Sequence, residues 1–258
     1  MRNHFLGSIV AVVTVLAFAP VLLAQIRNQP GGTKAQPPDL TGVWGSPAWG
    51  NETRMTPAEL SRQESQQREK APLPMQKWAE WKFIYNADPN RFGSRGRIEL
   101  DTRNRCFPPS PTQILSDSNP FEIIQAPKRL LIFSETNREV RQIYMDGRCH
   151  PDDLEPSWMG HSTGKWDGDA LVVDTVGITD RGWLDGAGHV HSDALHIVER
   201  FRRVDKDTLE IDVTFDDPKA YTKPWTRTIT RKLRPGWRIT PSILCDERYK
   251  TNIYGDTL

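Results

Sequence analysis

Residues 199–213 read Glu-Arg-Phe-Arg-Arg-Val-Asp-Lys-Asp-Thr-Leu-Glu-Ile-Asp-Val. With the turn centred on Lys206, Arg202 faces Glu210 and Arg200 faces Asp212, while on the other side Phe201 faces Ile211 and Glu199 faces Val213. Opposite charges meet on one face and apolar groups on the other, and a slip by one residue would undo both. The stretch is an antiparallel hairpin with one buried face. Glu199 belongs to that face, in line with Ile197, Leu195, Asp193 and His191. An inward carboxylate is costly unless paired, and burial without a cation raises its pKa.

Upstream, Trp166-Asp167-Gly168-Asp169 contains Asp-Gly, a strong short hairpin signal. Taking Asp167 and Gly168 as the loop opposes Trp166 to Asp169, Thr163 to Val172 and His161 to Asp174. An imidazole and a carboxylate then share one face. Further β-rich runs lie at 121–126, 129–135, 139–145, 158–166, 170–178, 191–204, 209–215 and 225–233, joined by turn signals. Such a series forms an antiparallel meander, closed as a barrel or folded as a sandwich. The expected fold class is mainly β: a single antiparallel barrel over 39–258 with a helical insert at about 56–86. Thr56-Pro57-Ala58-Glu59 starts the insert with a cap, a proline and a carboxylate. Its second helix, 75–86, places Trp78, Trp81 and Tyr85 on one stripe, expected to pack on the main body.

At the N-terminus, Arg2 and His4 precede a charge-free run over 5–23 that ends in Leu-Leu-Ala-Gln. This describes a secretory signal peptide over 1–24, cleaved after Ala24. An uncleaved anchor is the alternative, since the run approaches the length that spans a bilayer. Residues 25–38 are rich in Pro, Gly and Gln and form a flexible leader. The expected location is periplasmic or secreted, with no membrane partner after cleavage. In an oxidising compartment Cys106 and Cys245 are the preferred disulfide, leaving Cys149 between Arg148 and His150. With 34 Lys+Arg against 33 Asp+Glu in 258 residues, the chain lacks the basic footprint of a nucleic-acid binder. Its 37% hydrophobic content excludes wholesale disorder. If the signal peptide is removed as expected, N-terminal sequencing of the exported protein starts at Gln25; a start at Met1 indicates the anchor.

His150, His161, His189, His191 and His196 all fall in the β region. In a barrel, His161, His191, Asp174, Asp193 and Glu199 can meet in one cavity, a polar cluster suited to acid/base work near neutral pH. His161 is the expected proton carrier, Asp174 its orienter and Glu199 the second acid/base group. Trp158, Trp183 and Trp225, with His191 and Asp193, are the expected ligand-binding residues. The competing reading pairs Glu199 with an arginine or a tryptophan N–H and leaves the histidines as ordinary loop residues. His189 and His191 in His-Val-His have the spacing of two ligands of one ion. No HExxH or CxxC pattern accompanies them, so no metal is expected, and Gly186 and Gly188 place His189 in a solvated loop. No phosphate loop or dinucleotide fingerprint occurs, and no cofactor is expected. Gly160-His161-Ser162-Thr163-Gly164 has the letters of a nucleophile elbow but leads into a hairpin, not a helix.

Leu40-Thr41-Gly42-Val43-Trp44 resembles the Gly-x-Trp opening of lipocalins and other calycin-type barrels, whose tryptophan closes the barrel floor. A longer resemblance runs through 146–151, 160–175 and 199–201. These segments look like a family of exported bacterial proteins to which no activity is assigned. That likeness covers 41–247 and includes Cys106 and Cys245; it implies an exported single domain and carries over no catalytic residue. The combined expectation is an exported barrel holding a small, partly apolar ligand. It catalyses cofactor-free hydration, isomerisation or lyase chemistry through an internal His/Asp/Glu cluster. The alternatives are a non-catalytic ligand- or metal-binding protein, and a carbohydrate-active sandwich using Glu199 with Asp174 or Asp193.

Overall fold

The strand-rich segments alternate buried and half-exposed residues, and that alternation closes on itself. A computed structural model describes residues 37–47, 72–87, 106–117 and 119–240. The expected signal peptide, most of the leader, the first helix of the insert and Cys245 lie outside them. Nine strands form a closed barrel in chain order, so the sandwich alternative gives way. They are β1 (Gly42–Gly45), β2 (Phe121–Ala126), β3 (Arg129–Ser134), β4 (Val140–Tyr144), β5 (His161–Asp167), β6 (Ala170–Val176), β7 (His196–Asp205), β8 (Thr208–Asp216) and β9 (Trp225–Leu233). Closure is made where Trp44 of β1 pairs with Leu233 of β9, and Trp44 is wholly buried there, its indole donating to the Leu40 carbonyl.

The β7–β8 register is the one the charges require: Arg202 opposes Glu210, Phe201 opposes Ile211 and Glu199 opposes Val213. The β5–β6 register differs from expectation by two residues. Asp167 pairs with Ala170, the loop is Gly168-Asp169, and Thr163 rather than His161 opposes Asp174. Gly168 has φ 62° while Asp169 has negative φ, the pattern of a turn with glycine first. A slip of two leaves every side chain on its own face. His161 and Asp174 therefore remain on one side as diagonal neighbours.

One pairing departs from the expected all-antiparallel meander. β4 and β5 run parallel, through Ile143 with Ser162 and Tyr144 with Thr163. A parallel neighbour needs a connection that returns the chain to its starting end, and 145–160 supply it. Nine strands and this pair also depart from the eight-stranded up-and-down lipocalin plan.

Phe121, Ile132, Leu171, Val173, Phe201 and Ile211 are among the buried side chains that fill the barrel. Glu199 joins them, as its hairpin dictates, at 0% exposure. Its partner is Arg141 of β4, equally buried, whose NH1 donates to Oε1 at 2.8 Å and NH2 to Oε2 at 2.5 Å. Arg141 also donates to Ser162 Oγ of β5 and Thr175 Oγ1 of β6. The competing arginine reading of Glu199 is the one observed.

Among the described residues, two α-helices lie outside the wall. In α1 (Lys77–Ala87) two members of the expected aromatic stripe are exposed, Trp78 at 45% and Trp81 at 60%, although the Trp78 indole donates to the Lys219 carbonyl of the main body. The docked face is Ala79, Phe83 and Asn86, because Asn86 donates to the Gly188 carbonyl and Phe83 stacks on His189 at 4.2 Å. α2 (Pro111–Ser116) starts with a capping box between Ser110 and Gln113. Thr112 and the carbonyl of Leu115 tie it to Leu184 and Arg231. Cys106 is disulfide-bonded and Cys149 is an exposed free thiol.

Removing one member of a buried ion pair strands the other without solvent. Glu199→Ala is expected to lose roughly 3–5 kcal/mol in urea denaturation, and the paired change Arg141→Met with Glu199→Leu to recover most of it. A Glu199→Ala loss below about 1 kcal/mol would contradict the pairing.

Candidate functional site

On the outer face of β5, β6 and β7, alternation puts His161, Asp174 and His196 on the side opposite Ser162, Thr175 and Ile197. Asp174 opposes Thr163 on one neighbour and Val198 on the other, which makes His161 and His196 its two diagonal neighbours. Gly160 sets the entry to β5: its φ is 63°, and a Cβ there would meet the Val176 carbonyl at 2.6 Å. A fourth residue, His150, comes from the 145–160 connection and lies across the face.

His150 joins the other members of the group. Its Nδ1 is 2.8 Å from His161 Nδ1, and its Nε2 is 2.9 Å from Asp174 Oδ1. His196 Nε2 is 3.0 Å from both carboxylate oxygens. An ionised carboxylate only accepts, so His150 Nε2 and His196 Nε2 carry hydrogens. When His150 is neutral it accepts at Nδ1, His161 Nδ1–H donates, and the lone pair of His161 falls on Nε2. The result is one directed chain, His161 to His150 to Asp174.

Burial holds the His161 imidazole below its ordinary value of 6.5, and the neighbouring His150 and Arg148 push the same way. It is therefore uncharged at pH 7. The Tyr144 ring stacks on His161 at 5.1 Å and carries the Arg148 guanidinium at 3.9 Å. Arg148 is held by Asp146, whose carboxyl it lowers to about 2.

The expected internal cluster is thus divided by the barrel wall. His161 and Asp174 meet outside through His150, and Glu199 is inside with Arg141. The reason is parity: Glu199 opposes Val173 on β6, one residue from Asp174 and therefore on the other face. Of the expected ligand residues, His191, Trp183 and Trp225 are buried at one end of the barrel. Asp193 is not inward; it forms an exposed ion pair with Lys219 at 2.7 Å. Trp158 is half-buried and stacks on Phe107. His189, expected to be solvated, is buried, with Nδ1 2.8 Å from Asp185 Oδ2. His150 and His196 were not expected at the site; His150 precedes β5 in a segment without strand periodicity, so no register predicts its reach.

His150 turns different ring nitrogens to His161 and Asp174. Among the described residues no group of three His, Cys, Asp or Glu side chains is placed to hold a metal. Comparison with protein-family models, curated proteins and solved structures finds no match.

In an NMR pH titration His161 is expected to show a midpoint below 6.5, because burial disfavours its charged form. A midpoint above 6.5 in the unaltered protein would contradict the geometry described.

Proposed function

We propose that the protein is a cofactor-free acid/base catalyst acting on a small, partly apolar molecule, with His161 as its proton carrier. The observation that carries this reading is the unbroken chain Asp174–His150–His161, which ends in a nitrogen lone pair on a neutral imidazole. The reaction takes place on the outer face of the barrel and not in a cavity within it.

Proton balance follows from the tautomers. His161 Nε2 takes a proton from the substrate or from water. The positive charge created is shared when the Nδ1 proton passes to His150 Nδ1, with the His150 Nε2–H held by Asp174. Reversing the shifts returns the proton to another substrate atom. A base that is regenerated as an acid in this way suits isomerisation, hydration or elimination. Asp174 holds the tautomer and stabilises the developing cation; it is the orienter, acting through His150. His196 fixes the carboxylate from the other side. Glu199 takes no proton in this scheme, since both its oxygens are engaged by Arg141. The charge-free run at 5–23 supports a setting outside the cytoplasm.

Hydrolysis of p-nitrophenyl acetate reports an accessible basic imidazole without knowledge of the substrate. The expected rate rises with pH and levels off before about pH 7, because the base is lost only on protonation below its depressed pKa. His161→Gln is expected to lower it about 100-fold, and Asp174→Asn by a smaller factor, with melting temperatures little changed. A His161→Gln protein as fast as the unaltered one removes the proposal.

A further inference from the structure

His161 has a cationic flank that the proton chain does not use. The β3–β4 register sets Arg129 directly opposite Tyr144, and the β4–β5 register sets Tyr144 beside Thr163, a diagonal step from His161. By alternation Arg129, Tyr144 and His161 all lie on the outer face. β4 ends at Tyr144, and Asp146-Gly147-Arg148 follows at once. Gly147 has φ 80°, in the left-handed region that glycine adopts without strain. The Arg148 guanidinium lies over the Tyr144 ring at 3.9 Å from its centre and that of Arg129 at 5.7 Å, while the His161 ring is 5.1 Å away. Two guanidinium groups and the imidazole thus surround one aromatic ring. Arg148 is close enough to His161 for its charge to oppose protonation of that imidazole.

The direction of Arg148 is fixed. Asp146 accepts from its Nε at 2.9 Å and from its NH2 at 2.6 Å, which occupies one edge of the fork. The other edge, NH1 with the second NH2 hydrogen, meets no acceptor among the described residues, and the side chain is 43% exposed. Arg129 is exposed too and pairs with no carboxylate among them. An exposed ion pair such as Arg148–Asp146 contributes little to stability. What it supplies is a set orientation for the free edge, beside the imidazole lone pair.

We propose that the substrate of this site is a small organic acid whose carboxylate docks on the free edge of Arg148, with Arg129 alongside, while its reacting atom meets His161 Nε2. The inference rests on the catalytic reading above and names the substrate class of that same site. A guanidinium edge matches a planar carboxylate through two parallel N–H···O bonds. Charge also sets which way the molecule lies. Asp174 is on β6, across β5 from the arginine side, so the anionic end is drawn towards Arg148 and Arg129 and away from Asp174. Asp146 balances one of the two arginines, which leaves one positive charge and favours a monoanion over a phosphate dianion. A seated carboxylate also offsets the repulsion between Arg148 and a protonated His161, so the base strengthens when its substrate binds. Arg148 is a binding and positioning residue in this arrangement.

Benzoate and benzamide, alike in shape and different in charge, test this on the full-length protein by calorimetry and by NMR titration of His161. Benzoate is expected to bind saturably, at least about 10-fold more tightly than benzamide, and to raise the His161 midpoint. Arg148→Gln, checked for folding by circular dichroism, is expected to remove most of that preference, and Arg148→Lys to restore only part of it, lacking the fork. A benzoate affinity no better than that of benzamide overturns the proposal. So does a preference unchanged in Arg148→Gln, a His161 midpoint that stays in place while benzoate binds, or inorganic phosphate binding more tightly than benzoate. Binding is read without turnover, which separates the two readings. A protein that prefers benzoate but whose ester hydrolysis is unaffected by His161→Gln keeps the acid-binding site and loses the catalytic reading. One whose hydrolysis depends on His161 but which ignores benzoate keeps the catalyst and loses this substrate class.

Discussion

The guanidinium of Arg141 is the side chain on which the barrel wall depends. It spans from β4 across β5 and β6 to β7, donating to Ser162, Thr175 and both oxygens of Glu199. The seam it crosses is, with the β1–β9 closure, one of the two shortest in the sheet. β4 and β5 share only two paired positions, against seven between β5 and β6. A buried ion pair is an uncertain source of net stability, because desolvating two charges offsets much of their attraction. What it supplies with certainty is geometry: a bidentate arginine inside an apolar barrel accepts few alternative arrangements. It therefore sets which strands face one another across the interior.

That constraint reaches the outer surface through single covalent steps. Ser162 precedes Thr163 and follows His161; Thr175 follows Asp174. Each inner ligand of Arg141 on β5 and β6 is thus the chain neighbour of an outer member of the proton chain. A strand locked on its inner face cannot rotate its outer side chains out of line. The interior ion network and the exterior His161–His150–Asp174 chain are two faces of one wall, one buried and one half-exposed.

The barrel end follows a different logic. There the 177–195 connection has no ladder to satisfy its polar groups, and Asp185 and Asp217 take that role by gathering backbone and side-chain donors. Such loop-borne carboxylates fix a connection in place without strands. α1 docks on the same connection through Phe83 and Asn86 and on the β8–β9 turn through the Trp78 indole, which leaves Trp81 facing solvent. Helical spacing alone defines a stripe, but not which stripe finds a partner; here a stacking imidazole and a free glycine carbonyl decided it.

Local alternation was enough to define the β7–β8 register and the inward turn of Glu199, because a hairpin's two strands are covalently adjacent and one-residue slips expose apolar groups. The position of most strands, the second helix of the insert and the shared face of His161 and Asp174 were legible for the same reason. Tertiary structure alone decided that Glu199 and Asp174 face opposite ways, since their relative parity depends on pairing between β6 and β7 across the 177–195 connection. It also decided the parallel β4–β5 seam, the choice of Arg141 as a partner 58 residues from Glu199, and the arrival of His150 from an irregular segment. Short-range periodicity carries no information about contacts that form only when distant strands close a ring. Those contacts join the interior pair and complete the exterior proton chain.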